Sequence, residues 1–229
     1  MVIGGLQKFS LSDFPGLISA IVFTRGCGFR CPYCHNPELV DPSRYGDDLP
    51  LSEVHRFLRS RGGRLQGVVV TGGEPTVHED LPVFLRELKD MGFAVKLDTN
   101  GTEPRMIQHV VAERLVDFIA MDVKAPLASY DMIVKVPVKT SDILESIRTI
   151  LASGLPHEFR TTWVDSLLSA NDLLAVAQLV KGCDRYVLQS FRGGKVLDPS
   201  LAAARPAEKT GLSRIVETLG AAGFPVETR

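Results

Sequence analysis

Three of the chain's four cysteines, Cys27, Cys31 and Cys34, fall within eight positions of one another in the run CGFRCPYCH. Thiolates are soft ligands suited to iron–sulfur clusters, zinc or copper. A closed zinc site takes four protein ligands. The only other candidate nearby is His35, and two adjacent residues, Cys34 and His35, would struggle to occupy two corners of one tetrahedron. Three thiolates match three irons of a four-iron cube instead and leave the fourth iron free to bind a further molecule, as a catalytic metal keeps an open position. Structural zinc and incidental buried thiols remain as alternatives. Cys183, in KGCDR near a helix end, reads as an ordinary small residue.

Other chemistry-bearing residues gather just after short apolar runs. TGGEP (71–75) offers two glycines that let backbone approach a ligand, although alone it signals only a turn. LDTNG and AMDVK place Asp98, Asp122 and Lys124 among apolar neighbours, where unpaired charge is costly and usually serves a purpose. Arg160 in EFRTT and Arg192 in SFRGGK stand at or near two further run ends, where surface arginines are also common. RFLRSRGGR carries Arg56, Arg59, Arg61 and Arg64, either a solvated face or a docking surface for an acidic partner. No G-x-S-x-G elbow or nucleophilic triad is present.

These residues need a frame that brings run ends together. Strands are expected at 18–24, 67–71, 93–99, 117–123, 157–163 and 185–190, six in all. Helices are expected between and after them: LSEVHRFLRSR with Ser52 as N-cap, EDLPVFLRELKDMG with Asp80 at its start and Gly92 as its stop, PRMIQHVVAERL, SDILESIRTILASG, NDLLAVAQLVKG and KTGLSRIVETLGAAG. The alternation predicts an α/β fold: a partial TIM-type barrel of about (β/α)6, a parallel sheet with helices outside and the active face at the C-terminal strand ends. Segment 35–50, rich in Pro, Asp and Gly, is expected to be a loop holding the cysteine site. With 229 residues, 45% hydrophobic and 23% charged, one domain spanning 1–229 is expected, its core over about 9–199 and a helix and tail over 200–229.

The net charge of −1 supplies no broad basic face for phosphate, so nucleic acid is a poor partner. No apolar run approaches the roughly 20 residues that span a bilayer, and the start lacks a signal pattern, so a soluble cytoplasmic protein is expected with no membrane partner. Clustered thiols point to metal or redox chemistry in a reducing compartment rather than to disulfides.

The spacing C-x3-C-x-aromatic-C resembles the signature of the radical S-adenosylmethionine (SAM) superfamily. The order KFSLSDFPG, CGFRCPYCHNPE, TGGEP, DTNG, MDVK, QSFRGGKVLDP, over about Phe9 to Pro199, is similar to glycyl-radical-enzyme activating proteins, in particular those of anaerobic ribonucleoside-triphosphate reductases in their longer, pyruvate formate-lyase-activase-like form. The resemblance implies a 4Fe-4S cluster on Cys27, Cys31 and Cys34 whose open iron chelates the amino and carboxylate groups of SAM. An electron would then cleave SAM to a 5′-deoxyadenosyl radical that takes hydrogen from a glycine of a partner enzyme. It implies Tyr33 beside the adenine, Gly72, Gly73 and Glu74 at the SAM amino group, and Asp122 and Lys124 on SAM. His35, Arg160 and Arg192 are expected as further cofactor contacts, although pyruvate formate-lyase activase has a histidine where Arg192 stands. It also implies a monovalent cation held by Asp98, Thr99, Asp122 and the Ala120 carbonyl, with Asp98 counted among the cofactor contacts. A low-potential donor such as flavodoxin or ferredoxin would supply the electron in an anaerobic cytoplasm. Two other classes stay open: a radical SAM enzyme acting on a small molecule, as the 7-carboxy-7-deazaguanine synthases do, and a non-enzymatic iron–sulfur or zinc module.

Overall fold

Val68, Val69 and Val70 are each at most 1% exposed, so this strand is covered on both faces, as its unbroken apolar run requires. The computed structural model describes residues 1–204 and 209–229. The valines lie on β3 (Gly67–Gly72) of one eight-stranded sheet in which every strand neighbours its successor in sequence. β1 (Ile3–Ser10) runs antiparallel to β2 (Ser19–Thr24). β2, β3, β4 (Ala94–Thr99), β5 (Phe118–Asp122), β6 (His157–Trp163), β7 (Tyr186–Ser190) and β8 (Val226–Thr228) are parallel. Among the described residues β1 and β8 do not pair with each other, so the sheet is a partial barrel that stays open.

The helices are α1 (Pro37–Val40), α2 (Leu51–Arg59), α3 (Leu81–Asp90), α4 (Pro104–Ala112), α5 (Tyr130–Val134), α6 (Thr140–Ala152), α7 (Ala170–Leu179) and α8 (Lys209–Ala221). Their apolar stripes, such as Val54 and Leu58 of α2 and Leu81, Leu85 and Leu88 of α3, share one large core with Val22, Val70, Leu97, Met121 and Leu188 of the sheet. The opposite sheet face changes character from one cross-strand layer to the next. Ile21, Val69, Lys96 and Phe118 lie in register, and the next layer carries Asp98, Ala120 and Glu158. Phe14, from the β1–β2 connection, packs with Ile21 and Val69 on this face, its ring centroid 6.1 Å from that of Phe118.

All six expected strands are present within one residue of their expected ends. β1 and β8 are additions that carry the sheet beyond 9 and 199. β1 has the glycine pair Gly4–Gly5 and three exposed residues in a row, and β8 has only three residues, so neither shows a two-residue apolar period. α2 begins at Leu51 with Pro50 as its N-cap and no side-chain cap bond, which places Ser52 inside the helix rather than at its cap. Asp80 is the α3 N-cap by position but makes no cap bond, and Gly92 follows that helix at φ +82°. Segment 35–50 is not wholly loop, because α1 and a single 3-10 turn at Pro42–Arg44 interrupt it. No helix among the described residues is long and apolar enough to cross a membrane.

Phe14 is 5% exposed and closes the apolar end of the open face. Phe14→Ala is therefore expected to cost about 3 kcal/mol, measured by urea unfolding of the cluster-free protein, whereas Phe9→Ala, at a site 56% exposed, should stay within about 0.5 kcal/mol.

Candidate functional site

Gly72 and Gly73, at the C-terminal end of β3, allow two backbones to meet. A Cβ on Gly73 would stand 2.1 Å from the Gly26 carbonyl oxygen, and one on Gly72 2.4 Å from the Thr24 backbone. Gly72 also holds φ +120°, a conformation reserved for glycine. The approach is sealed by Gly73 N donating to Thr24 O at 2.8 Å and Glu74 N to Gly26 O at 2.7 Å. Gly26 and Thr24 lead directly into Cys27, so the glycine pair holds the root of the cysteine loop.

That loop follows β2 and brings Cys27, Cys31 and Cys34 to the lining of one cavity of about 270 Å³. The lining also includes Tyr33, His35, Gly72, Gly73 and Glu74, and the strand-end residues Asp98, Thr99, Asp122, Lys124 and Arg160. All four cysteines of the chain are free thiols. Burial pushes the Cys27 thiol up to about 12 and that of Cys31 up to about 11, and it raises Cys34 as well. Such thiols stay protonated at neutral pH unless a metal centre takes the protons' place. Among the described residues no three His, Cys, Asp or Glu side chains converge as a single-ion site would need, while the three thiols share a cavity that also holds charged groups. The Tyr33 hydroxyl is buried without a hydrogen-bond partner among the described residues and lines the same cavity. This donor set fits a multi-iron cluster with a polar ligand beside it, and not a mononuclear zinc.

Glu74 is 1% exposed, and its carboxylate is spent within the protein. One oxygen accepts from Thr76 Oγ1 at 2.5 Å, Thr76 N at 3.1 Å and Thr99 Oγ1 at 2.7 Å, and the other accepts from Asn100 N at 2.6 Å. Glu74 thus ties the end of β3 to the end of β4, and the groups that the motif leaves to a ligand are those of its backbone. Asn100 continues the tie, its Nδ2 lying 3.7 Å from the Cys27 sulfur.

The floor of the cavity is a network of ion pairs in which three cations meet two carboxylates. Arg160 donates from Nε to Asp122 at 2.9 Å and from Nη1 to Asp98 at 3.1 Å. Lys96, 1% exposed, reaches Asp98 at 2.6 Å, and Lys124 reaches Asp122 at 3.2 Å. Burial alone would raise the Asp122 carboxyl, but the neighbouring Arg160 and Lys124 hold it down at about 2. Asp98 is also lowered, against its burial, by Arg160 and Lys96. Thr99 Oγ1 is committed to Glu74 and accepts from Gly101 N at 3.1 Å. The residues expected to hold a monovalent cation are therefore already joined by three positive groups, and they do not fit a further cation unless Arg160 moves.

His35 stacks on Phe191 with centroids 5.6 Å apart, and its Nε2 lies 2.7 Å from the Arg192 carbonyl oxygen. Arg192 does not line the cavity. Its side chain is exposed, because Phe191 takes the buried position just beyond β7 and turns the next residue outward. Its link to the site is through its carbonyl, which meets the His35 ring. Phe29, Asn36, Thr71, Thr162 and Gln189 also line the cavity without having been singled out in the sequence. Thr71, Thr162 and Gln189 carried one usable signal, their position at the C-terminal ends of β3, β6 and β7.

Gly73→Ala is expected to destabilise the protein by about 1–3 kcal/mol and to lower iron retained after anaerobic reconstitution, read by urea unfolding and iron assay. The pair Asp122–Arg160 contributes stability that is present above about pH 4 and lost as pH falls through about 2, worth roughly 2 kcal/mol. Urea unfolding of the cluster-free protein across that range should show this loss, and Asp122→Asn should flatten it.

Comparison with known proteins agrees with this geometry. The sequence model of the radical SAM superfamily matches residues 21–178. A protein of Methanocaldococcus jannaschii named as a glycyl-radical enzyme activating enzyme is 33% identical over 198 residues, 83% of this chain and 80% of that protein. The 7-carboxy-7-deazaguanine synthase of Aquifex aeolicus is 37% identical over 87 residues, 38% of each chain. The crystal structure of Streptococcus suis SuiB bound to the precursor peptide SuiA superimposes with a TM-score of 0.72 at 13% identity, covering 91% of this chain and 48% of that one, a likeness of fold alone. This chain thus spans about half the length of that structure. A match over more than half of the chain, together with a relative aligned over most of both sequences, places the protein in the radical SAM superfamily, in its glycyl-radical enzyme activating branch.

Proposed function

We propose that the protein is an activase that installs a glycyl radical in a partner enzyme, with Cys27, Cys31 and Cys34 holding a 4Fe-4S cluster and SAM lying in the cavity beside it. When bound, the cluster and SAM supply a one-electron reductive cleavage of a carbon–sulfur bond and a 5′-deoxyadenosyl radical that abstracts hydrogen. The balance is one electron and one SAM consumed, one hydrogen moved from a glycine Cα, and methionine, 5′-deoxyadenosine and a glycyl radical formed. A low-potential protein such as flavodoxin or ferredoxin is the proposed electron source.

The chain's own residues bind and orient. The glycine pair and Glu74 fix the root of the cysteine loop, and the backbone at Gly72 and Gly73 remains to meet the SAM amino group. Lys124, 15% exposed and lining the cavity, has Asp122 as its single ion-pair partner among the described residues, and so has donors left for the SAM carboxylate. Arg160 clamps the ends of β4 and β5 and keeps Asp122 ionised in the cavity lining. Tyr33 offers a buried ring to the adenine. His35 fixes the loop after β7 against the cysteine loop.

The observation that supports the activase reading is the extent of the M. jannaschii match, 198 residues and 83% of this chain, against 87 residues and 38% for the deazaguanine synthase. An anaerobic ribonucleoside-triphosphate reductase is the partner we favour, on the motif order from KFSLSDFPG to QSFRGGKVLDP. Mixing the reduced protein, SAM and that reductase should give a glycyl doublet in electron paramagnetic resonance. Turnover of a small molecule with no such signal would replace this reading with the synthase class. Cys31→Ala should lose iron and 5′-deoxyadenosine formation together. Lys124→Met should keep its iron and weaken SAM binding by about tenfold, about 1.4 kcal/mol, measured by equilibrium dialysis; unchanged affinity would remove Lys124 from the SAM site.

A further inference from the structure

A second cavity, of about 570 Å³, shares no lining residue with the first. It lies between β1 and α2, with Leu6, Leu49 and Phe57 supplying apolar surface and Gly4 and Gly5 leaving strand backbone bare toward it. β1 is an edge strand. Leu49 N donates to the Ile3 carbonyl at 2.9 Å, and among the described residues no other backbone hydrogen bond joins β1 to anything but β2. An edge with free backbone groups beside an apolar groove is a place where an extended chain can add on.

The charge around the groove is one-sided. Lys8 and Arg56 line it, and the charged groups of Lys8 and Arg61 stand 5.8 and 5.3 Å from the Phe57 ring centroid. Arg59, on the same helix, and Arg64, in the turn after it, are exposed. None of these five cations makes an ion pair among the described residues, although ion pairs recur over the rest of the molecule. Glu53 is the single acid lining the groove. In a chain of net charge −1, Lys8, Arg56 and Arg61 around Phe57 form a local excess over Glu53. Cation–π contacts over Phe57 do not neutralise it, since they leave the guanidinium and ammonium edges free to meet anions.

We propose that this groove docks an acidic, extended segment of a protein partner, its carboxylates meeting Lys8, Arg56 and Arg61 while its apolar side chains lie over Phe57 along β1. Apolar floor and basic rim together select such a segment over a bare polyanion, which would gain nothing from Phe57, Leu6 and Leu49. The docking is independent of SAM chemistry, so its failure and that of the activase reading are separately visible.

The test is fluorescence anisotropy of the anaerobically prepared holoprotein with a labelled synthetic peptide of alternating glutamate and valine at low salt. Its controls are the same peptide with lysine for glutamate and a single-stranded oligothymidine of equal charge. The acidic peptide should bind saturably and the lysine peptide should not. The double variant Arg56→Glu/Arg61→Glu should weaken binding by about tenfold or more, and Phe57→Ala should also weaken it. Arg105→Glu, at an exposed site on α4, should leave binding unchanged. 5′-Deoxyadenosine formation in the absence of partner should be the same in all of these variants and in the parent protein. Equal binding of the lysine peptide, or oligothymidine competing as strongly as the acidic peptide, would overturn the proposal using the parent protein alone. Indifference to Arg56→Glu/Arg61→Glu in folded protein would overturn it as well.

Discussion

The close approach of the β2 and β3 ends is the constraint on which the site depends. Two backbones meet there at a distance that excludes any Cβ, and two backbone hydrogen bonds seal the contact. Because Gly26 is both a partner in this contact and the residue before Cys27, a short-range packing requirement becomes the placement of a metal-binding loop. Glu74 extends the constraint sideways: its carboxylate gathers donors from Thr76, Thr99 and Asn100, so the ends of β3 and β4 move as one piece. Burial still pushes the Glu74 carboxyl above its ordinary value, so these donors offset its desolvation only in part.

The open sheet divides its labour between its faces. The helix-covered face carries the large apolar core. The other face passes from Ile21, Val69 and Phe118 to Asp98, Asp122, Glu158 and Arg160 within a few residues of strand. Buried charges of this kind cost more to desolvate than most pairs return, unless every partner is present. Here they are: Arg160 bridges two acids, and Lys96 and Lys124 complete them. Such a network gives rigid geometry and fixed protonation at the strand ends, which suits a site whose protein groups orient a reactive cofactor rather than exchange protons with it.

How much of this could be read from the chain follows from what each feature depends on. The three cysteines are legible because their chemistry lies in residue type and local spacing. β2, β3 and β5 are legible because burial on both faces leaves a short apolar run, and β4, β6 and β7 because β-branched and aromatic residues mark them among their polar ones. Gly72 and Gly73 show by type that backbone must come close to something, but that the something is Gly26 is a tertiary fact. Glu74 reads by type as a ligand-facing acid, and only the folded arrangement shows its oxygens occupied. Arg160 and Arg192 look alike in sequence. The pleat of β6 aims Arg160 at Asp98 and Asp122, whereas Arg192 lies beyond its strand, where no pleat fixes its direction. β1 and β8 owe their existence to the strands they pair with, so IGGLQKFS and VET carry little signal of their own.

The central claim is a cluster held by three protein thiolates, with one iron left to bind SAM. The most direct measurement is electron–nuclear double resonance on the reduced, anaerobically reconstituted protein with SAM carrying a nitrogen-15 amino group. The account predicts a hyperfine coupling from that nitrogen to the cluster. A cluster whose irons are all capped by side chains, with no coupling to the label, would contradict it.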